Sequence, residues 1–356
     1  MDHGLRRDAL VARLAELGVD AIVVTFLPNV RYLTGFTGSN GQALIAAEGS
    51  VFFTDGRYTE QSRHEVDDLP RVTTRSPGGP LAEHCSRLGV VRLAFEEERV
   101  TVAEHRRMTS DLGGVDLVPV APQVERLRWM KDGEELALLG GAQEATDRAF
   151  DDILDVLAIG MTERQVALEL EHALRRAGAD DMAFDPIVAF GEQAAEPHHQ
   201  PGHRVLREGD VIKLDFGALT GGYHADMTRT VAFGEPAPEL RKIHDIVREA
   251  QQAGIDAVRV GVRGVEVDAA ARAVIHDAGY GERFSHGLGH GVGLEIHEGP
   301  SLAAESDDVL PQAAVVTVEP GIYVPGLGGV RIEDMVEVTS DGCRVLGTST
   351  RELIEL

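Results

Sequence analysis

Two cysteines, Cys85 and Cys343, are the entire thiol complement of this 356-residue chain. No disulfide framework is therefore expected, and a reducing cytoplasm is the compartment such usage suits. Uninterrupted apolar runs of about 18 residues are also lacking, so no membrane-spanning helix is expected. The opening MDHGLRRDALVARLAELGVDAIVV has no apolar core followed by a cleavage site. It reads instead as an amphipathic helix leading into a strand. Lysine is scarce, with only Lys131, Lys213 and Lys242 among 34 basic residues. Against those stand 59 acids, for a formal net charge of −25. A chain so acidic is repelled by phosphate backbones, which argues against nucleic-acid partners. Carboxylates in such number can instead serve hard cations, which take oxygen ligands.

Residues 1–120 alternate helical and strand patterns, as an α/β unit would. Leu5–Leu17 has helical apolar spacing and stops at Gly18, and Asp20–Thr25 is a β-branched run. Ala43–Ala47 and Val51–Thr54 read as paired strands, Gly56–Val66 as a helix, and Ser76–Pro80 as a loop. After a strand at Val115–Val120, a helical pattern runs from Asp132 to about Leu157. The boundary falls near residues 121–131, giving a smaller unit over 1–125 and a larger one over 126–356.

The larger part contains an internal echo. Gly160–Gly178 is a glycine, a helix and a closing glycine, and Gly261–Gly279 repeats the plan over the same length. Each follows a long helical pattern, roughly Glu134–Leu157 and Pro238–Val260, and precedes a histidine-bearing loop and strands bearing carboxylates. Thr162 with Gln165 forms a capping box at one of these helices. Such a duplication predicts a pseudo-twofold α+β unit with its site on the shared axis.

Two carboxylate pairs occupy corresponding places in the halves. In VIKLDFGALTGGYHADMTRTVAF, a turn centred near residues 220 and 221 places Asp215 directly across from Asp226. Like charges facing each other on a sheet are destabilising unless a cation is shared, although Lys213 can offset part of the repulsion. A turn elsewhere would leave the two acids separately in solvent. Glu319 ends the apolar run AVVTVE, where a buried carboxylate needs a partner or a metal. In GGVRIEDMVEV, alternation sets Arg331 and Glu333 on one face and Asp334 on the other. Periodicity alone leaves open which of the two acids works, or whether Arg331 and Glu333 form a plain surface pair.

Four converging carboxylates make a poor core and a good cradle for two divalent ions at a separation of about 3.5–4 Å. The stretch SHGLGHGVGLEIHEGP is too glycine-rich for a helical zinc site. His290, between Gly289 and Gly291, can add one imidazole ligand to the oxygens, a set that suits Mn²⁺, Co²⁺ or Zn²⁺.

FDPIVAFGEQAAEPHHQP, KLDFGALTGGYHADMTRT, SHGLGHGVGLEIHEGP, VEPGIYVPG and GVRIED together resemble the pita-bread metallopeptidases. Within that family the chain looks most like the Xaa-Pro peptidase branch of prolidase and aminopeptidase P. NVRYLTGFTGSNG and FFTDGRYTEQS resemble the smaller creatinase-type N-terminal domain of that branch. The resemblance implies an α+β pita-bread catalytic domain with two divalent ions, Mn²⁺ foremost, held by Asp215, Asp226, His290, Glu319 and Glu333. It thereby selects Glu333 over Asp334. It also implies that His198 and His297 face the substrate, with His199 only a neighbour, and that His286 and Arg331 line the pocket. The implied reaction is hydrolysis of the Xaa-Pro bond, in dipeptides or at the N-terminus of short peptides. A hydroxide between the metals would attack while Glu319 shuttles the proton. A homodimer is implied as well, with the N-terminal domain serving dimerisation or covering the active site. The alternatives are a metal-free creatinase-like hydrolase and a non-catalytic peptide-binding module.

Overall fold

A computed structural model describes all 356 residues, which divide into two compact units, Met1–Arg128 and Trp129–Leu356. The first unit is built on one six-stranded sheet. In spatial order its strands are Arg71–Thr73, Val51–Thr54, Gly41–Ala46, Ala21–Val24, Arg92–Glu96 and Asp116–Val120. The central strand Ala21–Val24 is buried along its whole length, as its unbroken apolar run requires, and it pairs parallel to Arg92–Glu96. Ala21, Val23, Phe53 and Phe95 pack on one side of the sheet against Leu81, Cys85 and Leu112. Helix His3–Leu17 is capped by the Asp2 carboxylate at its start. The Gly56–Val66 segment opens as a 3-10 turn over Gly56–Tyr58 before the helix Thr59–Glu65. Ser76–Pro80 is only partly a loop, because helix Gly78–Leu88 begins inside it. Pro80 is tolerated there because first-turn N–H groups lack intrahelical partners anyway.

The second unit carries the duplication. Helix Gly133–Val156 packs against Glu163–Arg176, and Pro238–Ala257 packs against Gly264–Asp277. The residue preceding each shorter helix makes an isolated antiparallel bridge, Thr162 to Val205 and Arg263 to Val309. The Thr162–Gln165 capping box is present in full. Two sheets follow from the repeat. Ile187–Phe190, Val211–Phe216 and Met227–Ala232 form one, and the other contains Glu298–Leu302, Gly289–Gly291, Val315–Val318, Asp334–Thr339 and Gly342–Val345. Val247, Val267, Ala271, Leu288, Val316 and Val336 belong to the core of the second half. No helix of the chain is long and apolar enough to cross a membrane.

One expected register is wrong. Asp215 stands opposite Thr228, not Asp226, because the hairpin turns at Gly221-Gly222, with Thr220 paired to Tyr223. Both turn glycines have positive φ, +55° and +80°, as a two-residue primed turn demands. Thr220 cannot take that conformation cheaply, so a turn on residues 220 and 221 is disfavoured. Asp226 lies two positions before Thr228, diagonal to Asp215 and on the same face.

Candidate metal centre and active site

The two hairpins deliver the acids to the floor of a cleft of about 370 Å³. Asp215 lies within strand Val211–Phe216, and Asp226 immediately precedes Met227–Ala232. Glu319 follows Val315–Val318, and Glu333 sits between Gly328–Arg331 and Asp334–Thr339. His290 is the middle residue of the short strand Gly289–Gly291. Its glycine neighbours do more than leave the imidazole room. A Cβ on Gly289 would collide with the Thr317 carbonyl, and one on Gly291 with that of Gly299. The strand reaches the acids because its backbone fits closely between two others.

Side-chain hydrogen bonds orient the cluster. The His290 amide donates to Thr317 Oγ1 at 3.0 Å, and its Nδ1 lies 3.1 Å from the Gly291 carbonyl oxygen. Its Nε2 is thereby directed at Glu319 Oε1, 3.3 Å away, and Asp226 Oδ2, 3.6 Å away. Thr317 Oγ1 donates to Glu319 at 3.1 Å, and Thr228 Oγ1 donates to Glu333 at 2.6 Å. Ligand atoms of Asp226, His290 and Glu333 all lie within 4.8 Å of one another. Asp215 gives Oδ2 to the Arg331 guanidinium, while its buried Oδ1 has no hydrogen-bond partner.

Charge in this cluster is unevenly settled. Burial, and then repulsion from Asp215, push the Asp226 carboxyl well above the usual carboxylate range. Burial and the Asp226 charge do the same to Glu333. Burial also works against ionised Glu319, but the His290 hydrogen bond and charge win and bring it down to about 2. His290 is raised to about 9 because the carboxylates outweigh its desolvation. An orphaned buried oxygen, two frustrated carboxyls and an imidazole acting as cation are the pattern expected where positive charge belongs. Four oxygen-donor side chains with one imidazole fit hard to borderline divalent ions.

The cleft wall contains His198, His286, His297 and Arg331, together with the apolar Phe184, Ile187 and Ile296. His198 and His297 are exposed, and the His297 ring stands 4.4 Å from that of His290. His286 is tied on both sides, Nδ1 to the Gly287 carbonyl at 2.8 Å and Nε2 to the Tyr323 hydroxyl at 2.8 Å. Arg331 is buried and likewise committed within the protein. It donates to Thr228 Oγ1 at 3.0 Å, to the Tyr323 hydroxyl at 2.9 Å and to Asp215.

Tyr323, Thr228 and Lys131 are not among the site residues to which the sequence points. For Lys131 the scarcity of lysine, three in the whole chain, was the available signal, and both Lys131 and Lys213 prove to be buried. Lys131 pairs with Glu298, next to His297, at 2.7 Å. Lys213 donates to the carbonyl oxygens of Glu196 and Pro197, just before His198. It therefore anchors the histidine loop, and its charge also favours the ionised form of Asp215 as expected. Burial presses its ammonium down to about 6.

Carboxylates and an imidazole gathered at the floor of a peptide-sized cleft, on a duplicated α+β frame, define a metal-dependent hydrolase. More specifically, the chain belongs to metallopeptidase family M24, whose profile matches residues 137–340, and a Creatinase/Prolidase N-terminal domain profile matches residues 6–130. It is a metallopeptidase with the pita-bread α+β fold, preceded by the creatinase-type α/β domain. A Bacillus subtilis protein described as an uncharacterized peptidase is 42% identical over 345 residues, 96% of this chain and 97% of its own. The solved Xaa-Pro dipeptidase from Bacillus anthracis is 40% identical, covers 100% of both chains and has a TM-score of 0.97. An X-Pro aminopeptidase from Thermotoga maritima is 38% identical, with a TM-score of 0.90 over 97% of this chain and 100% of its own.

Proposed function

We propose that the protein hydrolyses the peptide bond preceding proline, in dipeptides or at the N-terminus of short peptides. The observation that carries this reading is the gathering of Asp226, His290 and Glu333 within 4.8 Å, beside Asp215 and Glu319, in a cleft that also presents His198 and His297. Relatives named as Xaa-Pro dipeptidase and X-Pro aminopeptidase support the choice of bond.

Asp215, Asp226, His290, Glu319 and Glu333 would hold two divalent ions, Mn²⁺ being our choice. When bound, such ions supply Lewis-acid chemistry, acidifying water and polarising a carbonyl. The protein's own part is positioning and proton transfer. An Xaa-Pro amide has no N–H to be read by hydrogen bonding, so recognition must come from shape and from the flanking groups. Phe184, Ile187 and Ile296 offer apolar surface for that purpose. His198 and His297 donate hydrogen bonds to the scissile carbonyl oxygen or to the substrate carboxylate. Glu319 takes the proton of the attacking water and passes it to the departing prolyl nitrogen. His286 and Arg331 fix the wall and, through Asp215, the floor. A homodimer belongs to the same proposal.

The test compares Ala-Pro, Ala-Pro-Ala and Ala-Ala with chelator-treated protein, with and without added Mn²⁺. Hydrolysis of the proline peptides alone, dependent on metal, is expected, and equal cleavage of Ala-Ala would overturn the choice of bond. The ratio between the two proline peptides decides whether the enzyme is a dipeptidase or an aminopeptidase.

A further inference from the structure

His198 is carried by the loop between the short 3-10 helix Gly191–Ala195 and strand Val211–Phe216. Such a loop needs anchoring if its side chain is to meet a substrate reproducibly. Its next neighbour points the other way. His198 is exposed, whereas His199 is buried at 7% exposure. The His199 Nε2 lies 2.9 Å from Glu163 Oε2, and its Nδ1 lies 2.7 Å from Glu196 Oε2. An ionised carboxylate accepts and does not donate, so a carboxylate at each ring nitrogen favours the doubly protonated imidazole. Burial opposes that charge, but the two carboxylates outweigh it and hold the imidazole above its usual value.

Glu163 is the fixed end of this arrangement. Its side chain is fully buried in the first turn of helix Glu163–Arg176, where the helix dipole favours a carboxylate. Its Oε1 accepts from the Phe190 amide at 2.9 Å, and its Oε2 also accepts from the Gly202 amide at 2.9 Å. One carboxylate thus ties the helix to the strand before the loop and to the loop's far side. Glu196 is mostly exposed and closes the pair from the rim. On the other flank of His198, Lys213 donates to the carbonyl oxygens of Glu196 and Pro197.

We propose that His199, held by Glu163, is a positioning residue that sets the placement of the His198 imidazole in the cleft. The proposal rests on the substrate-facing role given above to His198. It assigns no contact with substrate or metal to His199. Misplacement of a reacting group by about 1 Å can cost on the order of 10²-fold in rate, so a rigid buried anchor behind an exposed imidazole has a measurable effect.

A double-mutant cycle separates this role from a merely structural one. The single variants H199A and H198A and the double variant are assayed on Ala-Pro with Mn²⁺, and Mn²⁺ binding is followed by calorimetry. His199→Ala is expected to lower kcat at least tenfold while Mn²⁺ stoichiometry is unchanged. In the His198→Ala background the same change should cost less than about twofold, since the group it positions is gone. His199→Lys, which keeps a cation for Glu163, should recover part of the loss. An equal loss in both backgrounds would overturn the positioning role, as would full activity of His199→Ala. Full activity of His198→Ala would instead overturn the reading of His198 itself, and the proposal with it.

Discussion

Thr228 donates its hydroxyl to Glu333 Oε2 at 2.6 Å, across 105 residues of sequence and between the two hairpins of the catalytic unit. The Thr228 hydroxyl oxygen in turn accepts from Arg331 Nε at 3.0 Å, and the Thr228 carbonyl accepts the Glu333 amide at 3.0 Å. One threonine therefore orients a candidate ligand from both its side chain and its backbone. Partners behind metal ligands typically account for 10–100-fold in affinity. Thr228→Val keeps the volume and removes the hydroxyl, so Mn²⁺ should bind about tenfold or more weakly. Calorimetric titration with wild-type affinity would show that Glu333 is held by other means.

The candidate acids were visible in sequence because each closes or interrupts a strong strand pattern. Glu319 ends a buried run, and Asp215 sits inside one. Their partners were less visible. The hairpin register hung on which two residues form the turn, and only Gly221-Gly222 satisfies positive φ at both positions. That signal was present, but it competed with Thr220-Gly221. The Arg331–Asp215 pair, 116 residues apart, had no local signature at all. It exists because the second hairpin packs on the first, which depends on the whole core. The family resemblance set His198 apart from His199 but gave His199 no role, and its burial against Glu163 and Glu196 emerges only in the fold.

Carboxylate repulsion should be measurable as stability in metal-free protein. Asp226 is buried, and both desolvation and the Asp215 charge disfavour its ionised form. Asp226→Asn removes that cost while keeping shape. Without added metal its Tm should equal or exceed the wild-type value. The rise in Tm that Mn²⁺ produces by binding the folded state should shrink strongly, and hydrolysis of Ala-Pro should be lost. An unchanged Mn²⁺-dependent rise would remove Asp226 from the ligand set. Glu319→Ala should likewise abolish turnover with the fold intact, and full activity would remove Glu319 from the chemistry.

Lys131 and Glu298 form an ion pair at 2.7 Å with side chains only 1% and 3% exposed. Removing one partner of a buried pair leaves an uncompensated charge and typically costs about 3–5 kcal/mol. Lys131→Met should destabilise the second unit by that order in denaturant titration. Lys131→Met combined with Glu298→Gln should recover much of the loss, because the buried carboxylate that lost its cation is replaced by a neutral amide. Additive losses in the double variant would mean that the two side chains act separately.

Acid should weaken the fold through His244. This residue lies in helix Pro238–Ala257 at 2% exposure. Burial, reinforced by Arg248, Arg229 and Arg241 against the opposing Asp245, lowers its imidazole from 6.5 to about 4. The unfolded chain therefore takes up a proton near pH 6.5 that the folded chain refuses until about pH 4. Stability from this group is complete above about pH 6.5 and is lost as the pH falls through that window. A drop from 6.5 to about 4 corresponds to about 3 kcal/mol in full, of which about 2 kcal/mol is gone by pH 5. His244→Leu cannot take up this proton in either state. Unfolding free energies of wild type and variant, compared at about pH 7.5 and about pH 5, isolate the effect from the site carboxylates, which titrate in both proteins. The wild type should lose about 2 kcal/mol more than His244→Leu over that interval. Parallel pH profiles would show that His244 accepts its proton without cost in the folded state.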